Sequence, residues 1–388
     1  LVVRDPLVAL QSVAREHRHR FKGPVVGITG SAGKTSTKEL TALLLGGEGG
    51  GVLATEANLN NHIGVALTLC RLDPSMHRVA VVEAGISAPG EMDVLAGMIE
   101  PDIAVITLIG PAHLEELGGL EGVAREKSAL ARALRPSGLA IFPSSCLVYQ
   151  PFRDLPAERS LVLEPVSRIQ GMHRQQGRVP FSIEHEEGST LVSIGIGALP
   201  GITLSLRRVS DGMAQNAALA ACASMRAGAE RADVESRICD WQPASMRGEW
   251  RTREGQTVYL DCYNANPASM TDALSVFEAV APKGEPRLFL IGCMEELGDD
   301  APRYHFELGR SLRLSPGDRL MVVGGLAGEV VKGALAAGIP EANVEASETV
   351  GPLAERVSRF RGAVFVKGSR RHELESAFRF ELEGAAHA

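Results

Sequence analysis

Residues 24–45, PVVGITGSAGKTSTKELTALLL, set a β-branched run, a two-glycine loop and a helical segment end to end. A strand that turns directly into a helix cannot pair with its own return, so it commits the chain to βα units and a parallel sheet covered by helices. The same pattern recurs at VAVVEAG (79–85) and IAVITLIG (103–110), each followed by turn residues and a helix-like stretch. Residues 140–205 read as a looser, irregular part of the same domain, and AQNAALAACASMRAG (214–228) as a helix of small residues. The pattern restarts near WQPASMRGEW (241–250). TVYLDC, RLFLIGC, DRLMVVGG and AVFVKGS then read as buried strands alternating with amphipathic helices, a second doubly wound domain. The expected fold class is therefore α/β throughout, with one domain at 21–242 and a second, doubly wound domain at 243–388.

The loop itself resembles a P-loop without being one. G-x-x-x-x-G-K-[ST] needs a glycine at position 28, where the chain has Ile28; the glycine stands at Gly30 instead. Gly30, Ser31, Ala32, Gly33, Lys34 and Thr35 still lie between a strand and a helix. Glycines let the backbone approach an anion, the helix start offers free N–H groups, Lys34 adds a cation, and the Thr35 hydroxyl is placed to reach Mg²⁺. The alternative is an ordinary glycine-rich turn. By itself the loop indicates only a nucleotide. With a net charge of −7, phosphate recognition has to be local, and a nucleic-acid partner is not expected. The chain has no apolar run long enough to span a membrane. Its six cysteines lack metal-like spacing and read as reduced thiols of a cytoplasmic protein.

Three further residues fall where a nucleotide's metal would need them. Glu83 ends one strand and His113 follows another, both at the carboxyl edge where ligands gather in open α/β sheets. Taken singly, a strand-end Glu is also a turn residue and a lone His also a structural group. In EGVAREKSALARAL (121–134), Lys127 lies on the apolar face with Val123 and Leu130. Two readings stand open: the lysine snorkels to water, or desolvation keeps it neutral enough to react with CO₂, giving a carbamate that serves as an anionic metal ligand.

These residues resemble the Mur ligases of peptidoglycan synthesis. TGSAGKTSTKE, EANLNNHIGVALTL (56–69), VVEAGISAPGEM (81–92), ITLIGPAHLEELGGLEGVAREKSAL (106–130), MRGEW (246–250), DCYNANPASM (261–270), IGCMEELG (291–298) and VKGSR (366–370) match in order. NLNNHIG, YNANP, M-x-ELG and VKGSR are similar to the type that adds D-alanyl-D-alanine to UDP-N-acetylmuramoyl-tripeptide. The resemblance implies a central P-loop-type ATPase domain, a C-terminal Rossmann-like domain, and a cytoplasmic, monomeric ATP-dependent ligase working through an acyl phosphate. It implies that Lys34 binds the β- and γ-phosphates, that Thr35 and Glu83 hold one Mg²⁺, and that His113 and carbamylated Lys127 hold a second. Asn216, Arg247, Asp261 and Tyr263 are then nucleotide contacts. Asn58, Asn61, Asn264, Asn266, Lys367, Ser369 and Arg370 are substrate contacts. Residues 1–20 resemble the linker leaving an N-terminal domain that holds the UDP-sugar.

The chain also departs from the pattern. Where the family reads G-x-H-N-x-x-N-A, with asparagines on adenine, Gly212 and Met213 stand at the His and first Asn positions, and Asn216 remains. Cys262 replaces a usual Ser, Cys293 a common Asp, and Ala88 a His. Two alternatives follow: a related ligase acting on another carboxylate and amine, or a non-catalytic nucleotide-binding descendant.

Overall fold

The computed structural model describes residues 2–378 except 170–176, 197–198 and 254. The chain divides into two compact units, Leu1–Trp241 and Gln242–Ala388.

Among its described residues the first unit has nine strands: β1 (Val25–Thr29), β2 (Val52–Ala54), β3 (Val79–Glu83), β4 (Ile103–Ile106), β5 (Leu139–Pro143), β6 (Ser160–Pro165), β7 (Arg178–His185), β8 (Ser189–Ile196) and β9 (Leu199–Arg207). They lie in the order β2-β3-β1-β4-β5-β6-β7-β8-β9, parallel as far as β7 and antiparallel for β8 and β9. Its helices are α1 (Pro6–Arg20), α2 (Lys34–Leu44), α3 (Gly64–Cys70), α4 (Glu91–Ile99), α5 (Leu114–Leu117), α6 (Leu120–Arg132), α7 (Gln150–Arg153), α8 (Asp211–Arg226) and α9 (Arg231–Arg237). Alternation along the strands feeds two cores. Ala80 and Val82 of β3 face the layer of α1, α3, α4 and α6, while Val79 and Val81 face that of α2, α8 and α9.

The segment 140–205, expected to be irregular, instead supplies β5 to β9. Val192, Ile194, Ile202, Leu204 and Leu206 are buried, whereas Ser193, Thr203 and Ser205 are turned outward. Strands with one wet face carry an apolar residue only at alternate positions, so they lack the continuous runs of the buried parallel strands.

α1 is tied to the unit by Arg18. The fully buried guanidinium donates through Nε to Ile99 O (2.7 Å), and through Nη2 to Glu100 O (2.8 Å) and Asp102 Oδ2 (2.7 Å). Burial lowers the Arg18 pKa, and the Asp102 charge opposes that shift. Arg18→Ala takes a donor from three carbonyls, the third being Phe21 O, and from a carboxylate, and is expected to destabilise this unit by about 3 kcal/mol. The check is a lower urea midpoint at an unchanged m-value.

The second unit has β10 (Glu249–Arg253), β11 (Gln256–Asp261), β12 (Arg287–Gly292), β13 (Arg319–Val323), β14 (Val344–Ser347) and β15 (Gly362–Lys367), in the order β10-β11-β15-β12-β13-β14. Only β10 is antiparallel. α10 (Pro267–Val280), α11 (Ala301–Ser311), α12 (Ala327–Ala336) and α13 (Gly351–Arg359) complete the unit. Trp250, Tyr259, Phe277, Phe289 and Phe365 form a connected aromatic cluster in its core.

Candidate active site

In the first unit β3, β1 and β4 are neighbours, and their carboxyl ends deliver Glu83, the glycine loop and Thr107–Gly110 to one edge. The loop is latched to the exit of β4. Ser31 N donates to Leu108 O (2.8 Å) and Ser31 Oγ donates to Gly110 O (2.8 Å), while the Thr107 hydroxyl reaches Ala32 O. Gly30 has to be glycine here: a Cβ would lie 1.8 Å from Thr107 Oγ1. Gly33 takes φ +79° as the residue before α2, and a Cβ there would lie 2.4 Å from the Asn216 amide. Asn216 of α8 is thereby placed against the loop. Beside it, Gln215 Nε2 donates to Thr107 O (3.3 Å). Lys34 opens α2 and donates to Gly30 O (2.9 Å), with Thr35 following it on the same turn.

Glu83 is buried. Its Oε1 accepts from Asn60 Nδ2 (2.7 Å), and its backbone N–H donates to Thr55 Oγ1 (2.9 Å). Its Oε2 is also buried and has no hydrogen-bond partner. An orphaned carboxylate oxygen at this edge suits a hard divalent cation, which takes oxygen ligands. Among the described residues no three His, Cys, Asp or Glu side chains form a metal cluster by themselves. An ion here would therefore draw the rest of its shell from hydroxyl, phosphate and water oxygens. His113 stands after β4 with a left-handed backbone, φ +52°.

Lys127 is 1% exposed, which removes the snorkelling alternative. Burial, and then the positive charge of Lys34, push its pKa well below the usual lysine range, with Glu126 opposing. The structure thus brings Lys127 within electrostatic reach of the loop lysine.

The asparagines of NLNNHIG separate by role. Asn61 Oδ1 accepts from Ile63 N (3.1 Å) and Gly64 N (2.9 Å) at the start of α3, and Asn58 is exposed. Asn60, which sequence reasoning passed over, is the one that touches Glu83.

In the second unit, Asp261 ends β11 and Lys367 ends β15, paired in register and joined by a 2.7 Å hydrogen bond. Burial raises the Asp261 pKa, and Lys367 and Arg247 hold it back. The Arg247 guanidinium stacks 3.9 Å from the Tyr263 ring centroid. Asn266 caps α10: its side chain accepts from Ser269 N (2.9 Å), Ser269 Oγ accepts from Asn266 N (3.1 Å), and Pro267 fills the first helical position. Asn264 is exposed, with Oδ1 accepting from Ala265 N (2.8 Å). Arg370 is ion-paired with Glu375, which also accepts from Cys262 Sγ at 3.7 Å. Burial, and then the Glu375 charge, push the Cys262 thiol up to about 12. Ser369 is buried and its Oγ has no partner.

A cavity of about 570 Å³ opens beyond β12 and β13, lined among others by Cys293, Glu295, Gly324, Arg371 and His372. Glu295 meets His372 Nε2 at 3.3 Å and Arg371 Nη1 at 3.4 Å. Burial pushes the Cys293 thiol up to about 11. Behind the rim, Met294 N donates to His305 Nε2 (2.9 Å) while His305 Nδ1 donates to Ala301 O (2.7 Å). Burial keeps this imidazole neutral, the form that such a pair of bonds requires. Glu295 is the unspecified position of M-x-ELG, so the motif did not single it out, and nothing in the sequence pointed to His305.

Residues 28–223 match the family model described as the Mur ligase middle domain, and residues 246–370 match that described as Mur ligase, glutamate ligase domain. The chain belongs to the Mur ligase family. Among Mur ligases it is similar to the UDP-N-acetylmuramoyl-tripeptide–D-alanyl-D-alanine ligase of Bacillus subtilis (strain 168), 32% identical over 86% of this chain and 70% of that one. The ligase of the same name from Escherichia coli (strain K12) is 28% identical over 98% of this chain and 81% of its own. A crystal structure of MurF from Acinetobacter baumannii superposes with a TM-score of 0.79 at 27% identity, covering 97% of this chain and 80% of that one. Among the described residues of this Mur ligase, no helix is long and apolar enough to cross a membrane.

Proposed function

We propose that this Mur ligase joins D-alanyl-D-alanine to the free carboxylate of UDP-N-acetylmuramoyl-tripeptide, using ATP, in the building of peptidoglycan precursors. The curated ligases it resembles over most of its length support this reading. The observation that carries the chemistry is the buried Lys127 set near Lys34 and the glycine loop, because a domain that only bound nucleotide would have no use for a desolvated lysine there.

ATP transfers its γ-phosphoryl group to the carboxylate, the bond to the β-phosphate oxygen breaking as ADP leaves. The amine of the dipeptide then attacks the acyl carbon, loses a proton and expels phosphate, leaving the amide. The glycine loop and Lys34 hold the phosphates where negative charge gathers. Thr35 and Glu83 would hold one Mg²⁺, and His113 with a carbamate on Lys127 a second; the ions would neutralise the charge of the migrating group. A neutral Lys127 amine is the form that adds to CO₂, one N–C bond forming as one proton leaves. We assign the cavity of the second unit to the dipeptide, with Arg371 facing its carboxylate. The six free cysteines accord with a reducing cytoplasm, and the chemistry asks for no second copy.

The test is phosphate release from ATP with UDP-N-acetylmuramoyl-tripeptide, and D-alanyl-D-alanine as acceptor, with the amide product identified by mass. Turnover that needs both substrates is expected. Turnover only with a different carboxylate and amine would overturn the substrate assignment, and nucleotide binding without any turnover would overturn the enzyme assignment.

A further inference from the structure

We propose that Lys367 is a positioning residue, which holds the catalytic turn at the end of β11 and does not itself touch the acceptor; this rests on the ligase reading above. Lys367 is the last residue of β15, the strand hydrogen-bonded to both β11 and β12. The side chain is 1% exposed. Its ammonium group lies 2.7 Å from Asp261 Oδ2, 3.2 Å from Asn264 O and 3.4 Å from Asp261 O.

An ammonium group has three protons, and here three acceptors surround it. Nothing is left to offer an incoming carboxylate. The acceptors belong to the first and fourth residues of DCYNAN, so one buried charge fixes both the Asp261 carboxylate and the path of the turn toward Asn266, the cap of α10. A lysine suits the position because a compact, rotatable donor can address a side chain and two carbonyls converging from different directions. A planar guanidinium presents its donors in a fixed fork. The neighbours in VKGSR sit differently: Ser369 Oγ is buried without a partner, and Arg370 is half-exposed against Glu375. Contact with the acceptor would fall to other residues of the segment.

The experiment compares Lys367→Met with the parent in steady-state kinetics and in amide hydrogen exchange across residues 262–266. The expected result is a kcat lower by about 10²-fold with the dipeptide KM unchanged within about twofold, since misplaced groups cost rate without costing acceptor contacts. Exchange in the turn is expected to accelerate at least about tenfold, reporting local opening. Combining Lys367→Met with Asp261→Asn is expected to cost little more than either change alone, because the lysine acts through the aspartate. A dipeptide KM raised tenfold or more with exchange unchanged would overturn the proposal and make Lys367 an acceptor ligand. Lys367→Gln, which keeps two donors, carries the same readouts if the Met variant does not fold. If the parent turns over some other acceptor, the substrate assignment falls, and the exchange measurement still decides the role of the lysine.

Discussion

Lys127→Ala is expected to lower kcat by about 10²–10³-fold, the usual loss when one preorganised charge-stabilising group is removed from a site, while leaving the protein folded and no less stable. The two halves of this result have one cause. The Lys127 side chain is fully buried and close enough to Lys34 for the two like charges to oppose each other, so the charged form is disfavoured in the fold. Without modification, Lys127 has a folded pKa below the ordinary 10.5. Between those two values the unfolded chain binds the additional proton, so stability rises with pH across that window, and Lys127→Ala should flatten the slope. The carbamate reading adds a chemical signature. Parent enzyme prepared free of CO₂ should lose activity and regain it with bicarbonate, and Lys127→Ala should be partly restored by acetate, whose carboxylate can occupy the vacated space. Activity of the variant that ignores both additives would refute the carbamate.

Glu83→Gln is expected to cost a comparable factor, about 10²–10³ in kcat, and to raise the Mg²⁺ concentration needed for half-maximal rate at least about tenfold. Its mechanism differs from that of Lys127. Glu83 offers two oxygens, one already engaged by Asn60 and the other buried and unmatched. The amide of Gln keeps the size and removes the charge, so stability should hold or improve as a buried unpaired anion disappears. Mg²⁺ titrations of phosphate release, with thermal melts alongside, separate the two effects. A half-maximal Mg²⁺ concentration equal to that of the parent would remove Glu83 from the metal set.

The parts of the site that could be read in the sequence are those encoded locally. The loop from Gly30 to Thr35 declares itself because strand, glycines and helix are contiguous. Glu83 stands out because a strand end in a parallel sheet has a known address. The parts that could not be read are decided across the chain. Asn60 reaches Glu83 over 23 residues of sequence, and only the path of the intervening segment selects it over Asn58 or Asn61. Lys367, a lysine at a strand end, carries no mark of burial; its environment comes from a turn more than a hundred residues earlier. The strands from β7 to β9 were hidden for another reason. Their wet faces alternate serine and threonine with leucine and isoleucine, which dilutes the apolar runs that reveal the inner strands.

The placement of β15 has a consequence for biosynthesis. β15 is the last strand among the described residues, yet it lies in the middle of its sheet, bonded on one side to β11 and on the other to β12. During synthesis both of those apolar strands leave the ribosome roughly 70 to 100 residues before the strand that will separate them. Until residue 367 emerges, the sheet has a slot in place of a centre, and two bare strand edges are open to pairing with each other or with another chain. This half of the molecule therefore closes late and as a single event, whereas the first unit can form around β1, β3 and β4 while the rest is still being made.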